Sequence, residues 1–396
     1  MKIGVESSAV FRRGKTGVGW YALHLITALS KAMPDDELYL CYISFLTKQP
    51  ERLKPSPDNV VYRRISIFPG KIYNFLDHYL IPLPIDLLAR ARTDVFFFPN
   101  YFRWPLVFTK KSVVAIHDLA FAEAPQFLVP RHQKYMSRRV PASARKASHI
   151  VAVSQHTKDQ LVKRYGINQG RITVVTPALD LELFKPADSS AIAKAKQKAG
   201  ITKKYLLFFG TTDPRKNVDG IVKAFGLLPR HIQAEYQLVL GGAPGRDWGW
   251  GWYDEEIDAL EKGLPKGSLI RTGYFNEADK PALMSGADLF LWPSHYEGWG
   301  MPILEAQACG TPVITARNSS LPEAGGDAAA YVENNSPETI AALIQELLGD
   351  AERRKTMRET GFRHVQQFTW EHSAEVLAGV LRTVGSQGTR KASRSG

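Results

Sequence analysis

The sequence predicts an α/β protein built from two consecutive doubly wound domains, each a parallel sheet covered by helices. Three observations carry that expectation. Short apolar runs alternate with helix-like stretches along most of the chain, the pattern of repeated strand–helix units. The alternation restarts after a polar stretch rich in Ala and Lys near the middle. A chain of 396 residues is also longer than one ordinary core organises, so two domains are expected.

In the first half, KIGVES, LYLCYI, DVFFFP, SVVAIHD and HIVAVS read as strands, with VGWYALHLITALSKAM and TKDQLVKRYG as helices between them. The second half repeats the pattern with YLLFFGT, YQLVLGG, SLIRTGY, DLFLWPS and TPVITAR as strands. Its helices include VDGIVKAFGLL, EADKPALMSGA, PILEAQACG and PETIAALIQELLG. Between the halves, Lys185–Lys204 suits a linker followed by a short exposed helix. The expected domains are therefore 1–186 and 187–369, with a terminal helix over 370–384 that packs back on the first. Residues 385–396 have no apolar anchor and are expected to be a disordered tail.

Composition narrows the class. The chain is 44% hydrophobic and 23% charged, as in soluble globular proteins, and no apolar run approaches the roughly 20 residues of a membrane helix. The start MKIGVESSAVF lacks the cationic and apolar regions of a signal peptide. Cys41 and Cys309 are far apart in the chain, so no disulfide framework is expected. A cytoplasmic protein is the expectation. Net charge is +12 but uneven: 27 Lys and Arg face 14 Asp and Glu up to Pro186, against 21 and 25 from Ala187 to Val384. The first half therefore faces something anionic, whether nucleic acid, an anionic membrane or a phosphate-bearing substrate.

Ligands of doubly wound sheets bind beyond the carboxyl ends of the strands, so the residues after each strand matter most. After KIGVES, the run GKTGVGWYALHL places Gly14, Gly17 and Gly19 before a helix, where backbone N–H groups can approach a phosphate. The spacing does not fit the dinucleotide fingerprint GxGxxG, which disfavours a Rossmann dehydrogenase; a plain flexible loop is the competing reading. His117 and Asp118 follow SVVAIHD, where a structural and a catalytic histidine are equally expected. After YLLFFG, the run TTDPRKN sets Arg215 and Lys216 at a helix start, where cations oppose the helix dipole. A compensating anion is implied, and a guanidinium fork beside a point charge suits a diphosphate. After DLFLWPS comes EGWGMPILE, with Glu297 in a loop, Glu305 in a helix from about Pro302, and Gly298 and Gly300 letting a ligand close. Two ionised acceptors suit the vicinal hydroxyls of a sugar ring and a ribose.

Together these residues carry a family resemblance. HYEGWGMPILEAQACGTPVITA resembles the Glu-x7-Glu signature of retaining glycosyltransferases of family 4, which have the GT-B fold of two Rossmann-like domains facing each other across a cleft. GTTDPRKNVDGIVKAF is similar to that family's donor-diphosphate motif. IHDLAFAEAP, VAVSQHTKDQL and TGVGWYALHL match its amino-terminal domain in order and spacing. The resemblance spans about residues 1 to 384. It implies that Arg215 and Lys216 neutralise the leaving nucleotide diphosphate and that Glu305 accepts from the ribose hydroxyls. It also implies that Glu297 holds the donor hexose, with the backbone of Gly298, Trp299, Gly300 and Met301 and the turn at Pro302 beside it. His117 would contact the sugar, Gly17 and Gly19 would face the phosphates, and Tyr274 would frame the base.

One position departs from the family pattern. Many members carry an Arg directly after the glycine that ends YLLFFG; here it is Thr211, so Arg215 supplies the guanidinium. The RKN arrangement and the IHDLAF segment resemble mannosyltransferases acting on glycan chains, which makes GDP-mannose the expected donor and a glycan or lipid-linked molecule the expected acceptor. No nucleophile suits double displacement, which needs two carboxyl groups about 5 Å apart, so a front-face mechanism is expected. No cofactor and no metal are implied, because Arg215 and Lys216 carry the charge.

Weaker signals remain. Arg131–Lys146 holds six Lys and Arg and no acid, which reads equally as a solvated face or as a contact with anionic membrane. Pro141 is expected to break any long helix there. Phe96 to Phe98 read as core, whereas Tyr101, Phe102 and Trp104 could line an acceptor groove or enter a bilayer interface. GRDWGWGWYDEE reads as a mobile insertion, with sugar stacking by its Trp rings as the lesser alternative. The rivals are a UDP-hexose donor, a non-catalytic sugar-nucleotide binder, and, from another class, a nucleic-acid-binding protein. The last leaves Glu297, Glu305 and the glycine loops unexplained, so no nucleic-acid partner is expected.

Overall fold

The computed structural model describes residues 1–11, 17–44, 53, 57–66, 83–273, 275 and 277–386. Among these, two wholly parallel sheets form. The first holds β1 (Lys2–Glu6), β2 (Glu37–Ile43), β3 (Val60–Ile65), β4 (Val95–Phe98), β5 (Ser112–Ile116), β6 (His149–Ala152) and β7 (Ile172–Val174), in the order β3-β2-β1-β4-β5-β6-β7. The second holds β8 (Lys204–Phe209), β9 (Tyr236–Gly241), β10 (Leu269–Gly273), β11 (Leu289–Trp292), β12 (Val313–Ala316) and β13 (Ala329–Val332), in the order β10-β9-β8-β11-β12-β13. In each sheet the winding direction reverses once, between β1 and β4 and between β8 and β11. These are the switch points beyond which ligands of such sheets bind.

Fully buried runs such as Val95–Phe98 and Leu289–Trp292 are continuous apolar strands, as expected for central parallel strands covered on both faces. The expected core role of Phe96, Phe97 and Phe98 holds. Gly4 on β1 leaves room for Phe96 on the neighbouring strand, where any Cβ would collide with the ring. β3, β7 and β13 escaped the sequence reading. β7 has three residues, and β13 follows two glycines, so neither announces itself by pattern.

The described residues of Met1–Leu119, Lys134–Pro177 and Trp370–Gly396 form one compact unit, and Ala120–Gln133 with Ala178–Thr369 form the other. The chain thus passes to the second unit at Ala178, ahead of the expected boundary after Pro186. Within the first unit, the helix Trp370–Ser386 packs on the helix Gly17–Ala32. The Trp370 ring lies 5.9 Å from Tyr21 and 5.3 Å from His24, and Ser373 donates to the Thr176 carbonyl. Within the second unit, Ala120 and Ala124 share a buried cluster with Tyr296, flanked by Phe127 and Leu128.

Two local expectations are corrected. The helix Pro130–Lys146 runs through Pro141 without a break. Its apolar face, with Met136, Val140, Pro141 and Ala144, is buried; that burial offsets the one intrahelical hydrogen bond a proline forfeits. The segment read as a mobile insertion is folded, as a turn over Gly245–Trp248 and a helix over Gly251–Glu261. Asp254 accepts from the N–H groups of Gly245 and Arg246, and Tyr253 donates to Asp219. The expected short helix forms over Ser189–Ala199, capped by Asp188 and ended by Gly200 in the left-handed region, but the segment read as a linker lies inside the second unit. The tail beyond Ser386 and Tyr274 lie outside the described residues, as does Gly14. No helix among the described residues is long and apolar enough to cross a membrane.

Asp86 ties the lower end of the first unit. Fully buried, it accepts from the backbone N–H groups of Leu87, Val107, Phe108 and Thr109 at 2.7–3.1 Å. Asp86→Ala orphans several buried donors and is expected to destabilise this unit by about 3 kcal/mol or more. An earlier urea transition, followed by far-UV circular dichroism, checks this.

Candidate functional site

The site in the second unit begins at the carboxyl end of β8. Asp213 caps a single 3-10 turn, Pro214–Lys216: its carboxylate accepts from the Arg215 N–H at 2.9 Å and meets the Arg215 guanidinium at 3.3 Å. Asn217 then adopts the left-handed region (φ 57°), and its amide donates to the carbonyls of Pro293 and Asn335. This pins the turn to the loop after β11, across the switch point. The Lys216 ammonium lies 4.4 Å from the centre of the Trp292 ring, which is buried and stacked on Phe208 and Phe290. Gly210 makes that approach feasible, because a Cβ there would stand 2.9 Å from the Trp292 ring and 3.1 Å from the ammonium. Burial pushes the Lys216 pKa down, while Glu297 and Asp213 pull it back up. An ammonium held in this way is stabilised by an arriving anion.

The loop after β11 supplies the carboxylates. Glu297 accepts from the Ser294 hydroxyl at 3.1 Å, and its own N–H donates to the Ser319 hydroxyl. Ser320 donates to the carbonyls of Glu297 and Trp299, and Asn318 and Asn335 both donate to the Ser294 carbonyl. His295 donates from its backbone to the Arg215 carbonyl and stacks on Phe127. Gly300 takes φ 131°, closed to other residue types, and ends the loop directly before the helix Met301–Ala308. Gly298 is buried, and the Trp299 indole packs inward against Phe368, so Trp299 offers the site its backbone alone. Met301 and Pro302 form the helix's first turn, whose N–H groups favour negative charge. Glu305, on that helix, is buried and ion-paired with Lys280 at 2.5 Å.

The structure therefore brings Arg215, Lys216 and Glu297 together at the switch point, and Lys280, the ion-pair partner of Glu305, also acts on Lys216. Sequence reading missed Trp292, Ser294, Asn217, Lys280 and the Ser319–Ser320 pair. Ser319 and Ser320 stood in the flagged run SSLPEAGG, and Asn217 in RKN, but no spacing rule announces a loop clamp. Lys280 carried no signal at all. Among the described residues, no group of three His, Cys, Asp or Glu is placed to hold a metal ion.

In the first unit, His117 is buried after β5, and its Nε2 lies 2.7 Å from the Pro99 carbonyl after β4. A carbonyl can only accept, so Nε2 carries the proton and Nδ1 is the acceptor nitrogen. Tyr21 and Tyr101 close on the ring at 4.9 and 5.1 Å. Gly17 and Gly19 open the helix that carries Tyr21. One aromatic contact thus links the glycine turn to the histidine.

Comparison with known proteins identifies the family. Residues 190–364 match the family model described as glycosyl transferases group 1, and residues 15–183 match glycosyltransferase family 4. The chain belongs to glycosyltransferase family 4. Among the relatives of this family 4 glycosyltransferase is the O-antigen chain mannosyltransferase B of Escherichia coli, 28% identical over 90% of this chain and 93% of that protein. Another is the D-inositol 3-phosphate glycosyltransferase of Nocardia farcinica, 30% identical over 83% of this chain and 70% of the relative. Among solved structures, Anabaena Alr3699/HepE, in complex with UDP and glucose, superposes with a TM-score of 0.68 at 19% identity, over 96% of this chain and 99% of that one. The fold is GT-B.

Two outcomes are expected from the geometry of this glycosyltransferase. Gly210→Ala drives a methyl group into Trp292 and Lys216; it is expected to keep far-UV circular dichroism while changing tryptophan fluorescence and weakening nucleoside diphosphate binding by roughly tenfold. Burial lowers the His117 pKa, so the unfolded chain takes up that proton first. His117 thus contributes stability above the unfolded value of about 6.5 that is lost as pH falls through the folded one. His117→Asn is expected to flatten the acid side of the melting temperature–pH profile, measured between pH 7 and 5.

Proposed function

We propose that this glycosyltransferase transfers mannose from GDP-mannose, with retention, onto a glycan or lipid-linked acceptor. The observation that carries the reading is the cation pair Arg215–Lys216 set at the β8/β11 switch point within electrostatic reach of Glu297. The likeness to a mannosyltransferase along nearly its whole length supports the choice of sugar.

In this reading the donor's diphosphate lies on Arg215 and Lys216, which neutralise the charge that grows on the leaving oxygen as the glycosidic bond breaks. Glu297, oriented by Ser294 and Ser319, accepts hydrogen bonds from the hexose hydroxyls. Glu305 accepts from the ribose, and the backbone N–H groups from Gly298 through Met301 add donors for the hexose. The family resemblance gives His117, through its neutral Nδ1, a role as acceptor for a sugar hydroxyl, and gives Gly17 and Gly19 a role toward the phosphates. The acceptor hydroxyl attacks from the face the diphosphate leaves, and its proton passes to the leaving phosphate oxygen. Glu297 and Glu305 act on hydroxyls, so neither is a nucleophile. The exposed basic face of Pro130–Lys146, with Arg131, Lys134, Arg138, Arg145 and Lys146, suits an anionic membrane that carries a lipid-linked acceptor.

A UDP-hexose is the alternative donor, motivated by the UDP and glucose complex of the Anabaena protein. Thermal shift with GDP, UDP, GDP-mannose and UDP-glucose separates the two, since the cognate nucleotide raises the melting temperature most. Lys216→Ala is expected to keep the fold and to lower transfer by a factor of about 10² or more, the scale of losing one preorganised charge. Near-normal turnover in that variant sinks the assignment.

A further inference from the structure

Lys280 and Glu305 form a charge pair of 2.5 Å in which each side chain is nine-tenths buried. Lys280 opens the helix Lys280–Ser285, and its ammonium also lies 5.2 Å from the ring centres of Phe184 and Phe209. Such a pair is a weak device for stability, because desolvating both charges offsets most of their attraction and apolar side chains of equal volume do as well. Its placement suggests another use. Phe209 ends β8, directly before the loop of Arg215 and Lys216, and the charge of Lys280 is felt at Lys216. The pair therefore lies inside the charged cluster of the donor site.

We propose that Lys280 is a positioning residue for Glu305, holding the carboxylate ionised and aimed so that it accepts hydrogen bonds from the ribose hydroxyls of the donor. This rests on the nucleotide-sugar reading above. To accept two O–H groups a carboxyl must stay ionised, yet in surroundings this buried a lone carboxyl takes up a proton. The other charged and titratable groups on the packed elements do not replace Lys280. Cys309, which caps the helix of Glu305 at its carboxyl end, has its thiol pushed up to about 12 by burial and by Glu305 itself. Arg358 donates to the Gly310 carbonyl and His364 to the Ala324 carbonyl. Asp279 is paired with Lys198, and Glu323, on the helix Leu321–Gly325, carries the same sign as Glu305. Lys216 lies against Trp292.

The test is calorimetric titration of the full chain with GDP, UDP and their 2′-deoxy counterparts from pH 8 to 5.5. The native chain is expected to prefer the ribonucleotide by about tenfold at every pH. Lys280→Met loses that preference progressively as pH falls, and Lys280→Arg restores it. In a Glu305→Gln background, Lys280→Met has no further effect on the preference, because it acts through the carboxylate. If Lys280→Met alone does not fold, this comparison of the double variant with Glu305→Gln decides. A preference in Lys280→Met that matches the native chain at every pH, or losses that add in the double variant, overturns the proposal while leaving the nucleotide-sugar reading standing. Absence of GDP and UDP binding to the native chain overturns both.

Discussion

An ammonium packed against an indole is the contact on which the switch-point site of the second unit depends. Lys216 reaches Trp292 because Gly210 has no side chain, because Asp213 closes the preceding turn, and because Asn217 ties that turn across the switch point. Trp292 in turn is fixed by two further rings in the interior of the sheet. The cation is thereby set by the packing of the core rather than by a mobile side chain. Preorganised charge of this kind loses little to reorganisation when a ligand arrives.

The loop that carries Glu297 is held by a different principle. Its fixity comes from hydroxyls and amides, with Ser294, Asn318, Ser319, Ser320 and Asn335 each bonded to the loop or to one another. A loop lacking a backbone ladder must satisfy its polar groups through side chains, and this one does so within a short span of β12 and β13 connections. Gly300 turns the chain at φ 131° against Ala324, Ile303 and Leu321, while the serines hold the rest of the loop. Positions 297 and 305 thus differ in support: neutral hydroxyls and backbone around the first, a buried counter-ion behind the second.

Much of the fold and the site was legible in the sequence, for identifiable reasons. Both sheets showed as apolar runs bounded by turn residues, and Arg215, Lys216 and Glu297 stood out by their place just beyond strand ends. Three short or atypical strands were missed, since β7 and β13 are too brief to show alternation or a long apolar run. Pro141 misled, because a local rule about helix breaking gave way to burial of a whole helical face. Lys280 was invisible because its significance lies in a pairing with Glu305 from a different strand–helix unit, and a contact of that range leaves no trace in local spacing. The Trp–Gly run misled for a similar reason: Asp254 bonds back to Gly245 at the start of the run, and Tyr253 bonds to Asp219 outside it.

The division of the chain into units has a bearing on how the molecule is made. Neither unit is a continuous stretch: the first is completed by the helix Trp370–Ser386, and the second borrows Ala120–Gln133. During synthesis the amino-terminal sheet emerges long before the helix that covers Gly17–Ala32, so its final burial waits for the last part of the chain to leave the ribosome. For the same reason a fragment cut at Ala178 lacks the residues that bury Tyr296, one position from Glu297. The two halves of this enzyme are separable as folds but not as translation products.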